Sequence, residues 1–467
     1  MFSTINNVFR IPELRKKIMV TLGLLVAYRI GFSIPVPGVN ISAFRDRILS
    51  LSDFLGNSLG AGAAESSEGV AGIIANLGAI TGGAWKSGAI FCLGIMPYIT
   101  ASIIFSLLQK IIPSLERMAK EGESGQQKIN QYTRYVTVAL CLVHSLFVFT
   151  QMLPSTGSNP MWGGEKTVFT FLLFFLSVTA GTMLIMWIGE KITEYGIGNG
   201  ISLLIMAGII ARIPNAALIL YRDYFSAQAT HSPQTGILVI CGLVVMFVFI
   251  VMGVVLITQG TRRITIQQAK HVRGTKIYGG QRSYMPLRVN HAGVMPVIFA
   301  SPVMMLVAGV IGGALIKLGG IGSFFGVNLQ NGNVLYTILE IGLIFFFSYF
   351  WTALYFNPAD TAKNIKEYGS FIPGIRPGKN TAEYLERIMN RVIFGGAAFL
   401  SAIAILPMIL SSALNMNYLV VSFLGGTGIL IVVGVALDLV QKIESHLVMR
   451  HYDSFMGGSK RIRGRRR

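Results

Sequence analysis

The few ionisable side chains within the long apolar runs of this chain include Arg29, His144, Glu340 and, at the end of the last run, Asp438. Inside a membrane such groups can relay protons or bind a coupling ion when they converge at mid-depth. Their placement does not suit that chemistry. Arg29 and Glu340 fall in the outer portions of their runs, where snorkelling or mutual pairing is expected. His144 stands alone and is expected to be a satisfied buried histidine. No phosphate-binding G-x-x-x-x-G-K-S/T, no H-E-x-x-H, no C-x-x-C and no nucleophile elbow occurs, and PGKN at 377–380 is not a phosphate loop. Cys92, Cys141 and Cys241 lie apart in separate apolar runs and read as small buried side chains rather than a disulfide or metal framework. These residues point to neither an enzyme nor a cofactor.

The elements that must carry them are membrane helices. Of the 467 residues, 52% are hydrophobic and 13% charged, and a soluble domain carries about a quarter charged residues. The apolar residues gather in runs of about twenty, the length of helix that crosses about 30 Å of hydrocarbon. Ten spans are expected, at roughly 18–37, 89–109, 135–153, 168–189, 199–219, 236–257, 293–316, 334–356, 392–411 and 418–439. The runs do not alternate with polar residues, which excludes a barrel. The stretch RIPELRKK before the first span resembles the start of a signal peptide, but no small-residue cleavage site follows, so a retained helix is expected. The net charge is +19, and 31 of the 39 basic residues fall in the segments that an inside N-terminus would leave in the cytoplasm. Both termini are therefore expected inside.

The stretch GIMPYITAS, 94–102, returns as GVMPVIFAS, 293–301, with six of nine positions identical. The two copies sit in the second and seventh spans, five spans apart, so they cross in opposite directions. That is the pattern of an inverted repeat, spans 1–5 against spans 6–10. The expected division is 1–220, 221–439 and a basic tail, 440–467. Ile95, Ile99 and Ile103 recur every four residues, as do Ile201 and Ile205, and Ile298 is the repeat partner of Ile99. Such stripes ordinarily face lipid or another helix. Here Gly, Pro, Ser and Thr beside them allow close approach and an irregular backbone, as where a helix lines a cavity. The glycine-rich stretch 70–86 is too interrupted for a span and too apolar for a free loop, and a short re-entrant helix is expected.

Two cytoplasmic loops are unusually long. Loop 258–292 carries seven basic residues and no acidic one, and RRITIQQA alternates like a strand, so a basic hairpin is expected. Loop 357–391 reads as a short helix, a turn pinned by Pro and Gly around Arg376, and a second helix capped near Thr381. Both suit docking of something polyanionic or acidic. The tail GSKRIRGRRR suits anionic lipid or RNA.

GIMPYITASI, MWIGEKITEYGIGNGISLLI, RRITIQQA, NHAGVMPVIFASP and NPADTAKNI with FIPGIRPG and TAEYLERI resemble the SecY family of protein-conducting channels, from the first span to the last. The resemblance implies an all-α integral membrane protein whose ten helices form two inverted five-helix halves around a central hourglass pore. By motif, the ring at its waist would be Ile95, Ile99, Ile201, Ile205, Ile298 and Ile431, with a plug at about 70–85. Spans 2 and 7 would line a lateral gate with spans 3 and 8, with Pro97, Ser102, Pro296 and Ser301 on it. Arg262, Arg263, Arg273 and Arg376 would dock the translating ribosome, through its RNA, or the SecA motor ATPase. Further implied partners are the SecE and SecG subunits, signal peptides, nascent chains, the lipid bilayer and, as an additional candidate, a YidC-type insertase. The implied location is the bacterial inner membrane. Two departures stand out: 41–69 is longer than in many members, and Gln268 stands where Tyr is frequent. Two rivals remain at this point. An inverted-repeat transporter of small solutes predicts polar groups at mid-depth, where this chain offers isoleucines. A membrane scaffold predicts no conductance.

Overall fold

The computed structural model describes residues 11–38, 89–147, 149, 167–211, 213–225, 233–269, 271–273, 276–278, 280, 282–307, 328–329, 333–414 and 427–457. The plug expected at 70–85, the stretch 41–69 and the last ten residues of the tail lie outside them. The chain forms two compact units, one drawn from 1–49, 78–212 and 431–467, the other from 50–77 and 213–430.

The first unit contains α1 (Pro12–Gly31), α2 (Met96–Ile111), α3 (Pro113–Lys120), α4 (Glu123–Phe147), α5 (Val168–Tyr195) and α6 (Gly200–Ile210). Proline opens α1, α2 and α3, at positions where a helix has no use for the missing N–H. Before α5, Thr167 and Thr170 form a reciprocal capping box, and Asn199 caps α6 by accepting from the N–H groups of Ile201 and Ser202. The turn between α5 and α6 is held from both sides. The Gly200 N–H donates to Thr193 Oγ1 at 2.9 Å, and the Ile197 N–H donates to Thr21 Oγ1 of α1 at 3.2 Å. Around this turn, Tyr28, Phe91, Ile185, Ile188, Ile192, Leu203 and Leu204 form the unit's apolar centre.

The second unit contains α7 (Ile213–Phe225), α8 (Pro233–Gln259), β1 (Thr261–Gln268), β2 (His271–Arg273), β3 (Lys276–Tyr278), β4 (Arg282–Arg288), α9 (Met295–Leu306), α10 (Val334–Tyr355), α11 (Pro358–Glu367), β5 (Ser370–Phe371) and α12 (Lys379–Leu414). The last helix, α13 (Thr427–Gly457), belongs to the first unit from Ile431 onward. Among the described residues, α5, α8, α10 and α12 are long and apolar enough to cross a membrane. The pair α2–α3 passes the same test together but bends by 101°. The chain is thus a multi-pass membrane protein.

Several expected spans take a different form. The run 199–219 is two helices, α6 and α7, because Pro214 has no N–H to continue the first. In place of a span beginning at 89, the residues before α2 form buried turns, with the Cys92 N–H bonded to the Ala89 carbonyl and the Gly94 N–H to that of Phe91. Cys92 and Cys141 are buried as expected, but Cys241 is exposed on α8. His144 donates its Nδ1 proton to the Leu140 carbonyl at 2.8 Å, a local bond that satisfies it. Arg29 lies over the ring of Phe32, 5.5 Å from its centroid. Asp438 pairs with Lys442 one turn on, at 3.1 Å.

Candidate functional site

The repeated motif folds the same way in both units. Gly94 and Gly293 adopt φ of 56° and 63°, a conformation that favours glycine. The next residues, Ile95 and Val294, cap their helices at φ/ψ of −93°/−1° and −90°/−7°. Each helix then starts with Met-Pro, and Pro97 and Pro296 are both buried. The prolines do not loosen the middle of a span; they open a helix from a left-handed glycine turn. Ala101 and Ala300 are fully buried at matching positions.

Four of the expected ring residues converge on one cluster of the first unit. Ile95 is 5% exposed and belongs to its buried centre, while Ile99, Ile201 and Ile205 are half-buried against it. Two elements bring them there: α2, which places Ile95 and Ile99 one turn apart, and the pinned α5–α6 turn, which places Ile201 and Ile205 likewise. Ile431 is buried near the start of α13, and Ile298 is half-buried on α9. Among the expected gate residues, Ser102 is half-buried and its carbonyl accepts from Ser106 Oγ at 2.8 Å. The backbone of Ser301 lies in α9.

Sequence reasoning missed the polar backing of this unit. Arg134 on α4 grips Glu190 on α5 with two nitrogens of its guanidinium, Nε donating to Oε1 at 3.2 Å and Nη2 to Oε1 and Oε2 at 2.8 and 2.7 Å. The partners are 56 positions apart, so no local pattern announced them. The apolar centre around Phe91 was equally silent, since Phe91 and Tyr28 meet only once the chain is folded.

The second unit carries a basic platform. The two long loops, separate in sequence, form one sheet of order β4-β1-β5. β1 pairs antiparallel with β4 from Thr261↔Arg288 to Gln267↔Arg282, and with β5 through Gln267↔Phe371 and Gln268↔Ser370. Gln268 thus acts through its backbone in the ladder. One face of the sheet packs Ile264 and Leu287 with Ile365 of α11, Ile372, and Leu385, Met389 and Ile393 of α12. Alternation along β1 sends Arg262 to the side of Ile264 and Arg263 to the opposite face, where Tyr284, Arg282 and Arg288 also fall. All five of these side chains are exposed. Arg273 is on β2, at the tip of the small β2–β3 hairpin. Arg376 is exposed in the turn between β5 and α12, flanked by Gly374 at φ 83° and Gly378 at φ 109°. Just before α9, His291 keeps its Nδ1 buried with no hydrogen-bond partner among the described residues, and its ring lies edge-on to the Phe356 ring at 5.8 Å. Burial, aided by the Arg288 charge, holds its pKa below the usual histidine value.

Among the described residues no cluster of His, Cys, Asp and Glu could hold a metal ion. The arrangement offers two kinds of surface: aliphatic side chains that cannot hydrogen-bond, and a rigid cationic sheet.

The SecY family profile matches residues 89–440. A protein translocase subunit SecY from Thermotoga maritima is 39% identical over 470 residues, covering all of both chains. One from Corynebacterium glutamicum is 38% identical, covering 97% of this chain and all of its own. Among solved structures, one described as a protein-conducting channel shares the fold, with TM-score 0.54 and 18% identity over 98% of this chain and 99% of its own.

Proposed function

The chain belongs to the SecY family, and from that premise we propose that it is the pore-forming subunit of the general protein translocase of a bacterial inner membrane. It passes unfolded secretory chains across the bilayer and releases transmembrane segments sideways into lipid. The observation that carries this reading is the convergence of Ile95, Ile99, Ile201 and Ile205 on one cluster. With Ile298 and Ile431 they would complete a waist between two inverted halves, and 1–220 and 221–439 are the proposed extents of those halves.

The physics suits the task. Aliphatic side chains offer a passing polypeptide no hydrogen bonds, so no sequence meets a deep well. Idle, the same constriction excludes water and ions by dewetting. A signal sequence has an apolar core of about 7–15 residues, and at roughly −0.3 to −0.6 kcal/mol each about ten of them favour lipid by a few kcal/mol. That is enough to part a weak seam between the helices bearing the repeated motif. Pro97, Ser102, Pro296 and Ser301 lie on those helices. A secondary transporter would need converging polar groups at mid-depth, and this reading does not favour it.

The basic platform serves docking in the cytoplasm, where both termini lie. Arg262, Arg263, Arg273 and Arg376 would meet the translating ribosome or the SecA motor, with SecE and SecG as companion subunits. Arg376→Glu should impair translocation while leaving membrane insertion of the chain intact. The deciding experiment places single cysteines at the six ring positions, in a background lacking Cys92, Cys141 and Cys241, and crosslinks them to a stalled secretory chain. Adducts at all six positions support a shared passage; adducts only with lipid probes would end the proposal.

A further inference from the structure

The turn that presents Arg376 is tied down by a side chain with no obvious place in docking. Thr381 lies in the first turn of α12 and is 1% exposed. The sequence suggested a helix cap, whose oxygen would accept from backbone N–H groups. The structure has the opposite polarity: Thr381 Oγ1 donates to the Arg376 carbonyl at 2.9 Å. The rest of the turn is anchored on its other side. The Ile375 N–H bonds to the Ile372 carbonyl at 3.1 Å, and Ile372 and Ile375 pack into the apolar cluster beneath the sheet. Gly374 and Gly378 flank Arg376 at positive φ, and Pro377 between them restricts the backbone of Arg376, so what remains to be fixed is the tilt of the peptide plane between Arg376 and Pro377. The Thr381 bond fixes the peptide plane that follows Arg376, and with it the direction in which the arginine side chain leaves the turn.

We propose that Thr381 is the positioning residue of Arg376, holding the docking arginine in one orientation through its carbonyl. The proposal rests on the docking reading above, and its partner is the ribosome, whose phosphates suit a fixed planar guanidinium. A mobile arginine would pay the cost of being ordered on every encounter. Valine in place of Thr381 keeps the branched shape and removes the donor, leaving the carbonyl unpaired. Serine keeps the donor.

The test uses the full chain, reconstituted with its companion subunits in proteoliposomes, and binding of ribosomes without a nascent chain. Thr381→Val should weaken binding by roughly fivefold to tenfold, the scale of one hydrogen bond. Thr381→Ser should stay within about twofold of the parent, on the same reasoning. In an Arg376→Ala background, Thr381→Val should weaken binding no further, because positioning acts only through the arginine. Undiminished binding by Thr381→Val, where Arg376→Ala binds weakly, overturns the proposal. So does a full additional loss in the Arg376→Ala background, which would mark a general structural role. If Arg376→Ala itself binds like the parent, the docking reading fails instead, and this proposal falls with it.

Discussion

The two copies of the repeated motif share a backbone and differ in what stands behind it. In the first copy, Thr100 turns its hydroxyl onto its own helix, donating to the Met96 carbonyl at 3.1 Å. The matching residue of the second copy, Phe299, reaches out to α10 and lies 5.7 Å from Phe347 and 5.2 Å from Trp351. The first copy leans on α4, where Phe105 stacks on Tyr132 at 6.4 Å, and is also covered from its N-terminal side, where Phe91 stacks on Tyr28 at 6.2 Å and meets Phe32 edge-on at 5.7 Å. The glycine–proline signal therefore fixes how each helix begins, and unrelated residues decide what each helix leans on. The proposed seam between the two copies would be symmetric in backbone and asymmetric in packing. The two sides are then free to have different stiffness.

The harshest way to probe that asymmetry is to remove each backing. Phe91 and Trp351 are both 2% exposed. Phe91→Ala and Trp351→Ala should each cost about 3–5 kcal/mol, the range for deleting a buried aromatic ring. Thermal inactivation of the purified protein would read both. The Trp351 indole N–H is buried and has no hydrogen-bond partner among the described residues. Trp351→Phe should therefore cost much less than Trp351→Ala, since no hydrogen bond is forfeited. A Trp351→Phe variant as damaged as Trp351→Ala would mean that the indole N–H has a role that packing does not explain.

A gentler probe changes one motif position in each copy. Ile99→Asn and Ile298→Asn put an amide into an apolar setting, at a cost of about 1–3 kcal/mol to the closed arrangement. Both variants should raise ion leak in planar bilayers and let defective signal sequences through. Equal effects would mean that the two copies contribute alike to the seal. Unchanged leak and unchanged signal-sequence stringency in both would remove these isoleucines from it.

How much of this was legible in advance depends on how local each signal is. The motif's position in the second and seventh runs, the turn at Arg376 and the helix–turn–helix of 357–391 rest on residues adjacent in sequence, where Gly and Pro act on their own backbone. The joining of the two long loops was not legible. It rests on two backbone pairings at the end of β1, Gln267↔Phe371 and Gln268↔Ser370, which no side-chain pattern announces. The break at Pro214, although Arg212 and Asn215 flank it, was hidden by the apolar runs beyond them, since hydropathy counts side chains and not missing N–H groups. The direction of the Thr381 bond could not be read either, because a hydroxyl near a helix start serves equally as donor or acceptor.

Smaller still is the effect of the turn glycine. A Cβ on Gly293 would meet none of the described residues within 4 Å, so Gly293→Ala tests the positive φ alone. It should cost about 1–2 kcal/mol, and Gly293→Asn less, because Asn tolerates the left-handed region. Thermal inactivation would rank them. If alanine is as stable as glycine, the shared backbone does not depend on this residue, and the likeness of the two copies needs another cause.

The smallest expected difference is a dependence on pH confined to the second copy. His291 stands two residues before Gly293, where the first copy has Cys92, and a thiol gains no charge on acidification. The folded state holds the histidine pKa below its ordinary value, by burial first and by Arg288 second. Native packing therefore favours the neutral ring. Its contribution to stability is complete above the unfolded value of about 6.5 and declines as the pH falls below it. The charged ring would also carry a proton on Nδ1, which is buried and has no acceptor among the described residues. Between about pH 7.5 and about pH 5.5, on either side of that value, the parent protein should lose thermal stability. His291→Gln, which cannot titrate there, should lose less. Identical acid sensitivity in the two proteins would assign the loss to other groups and leave the copies distinguished by packing alone.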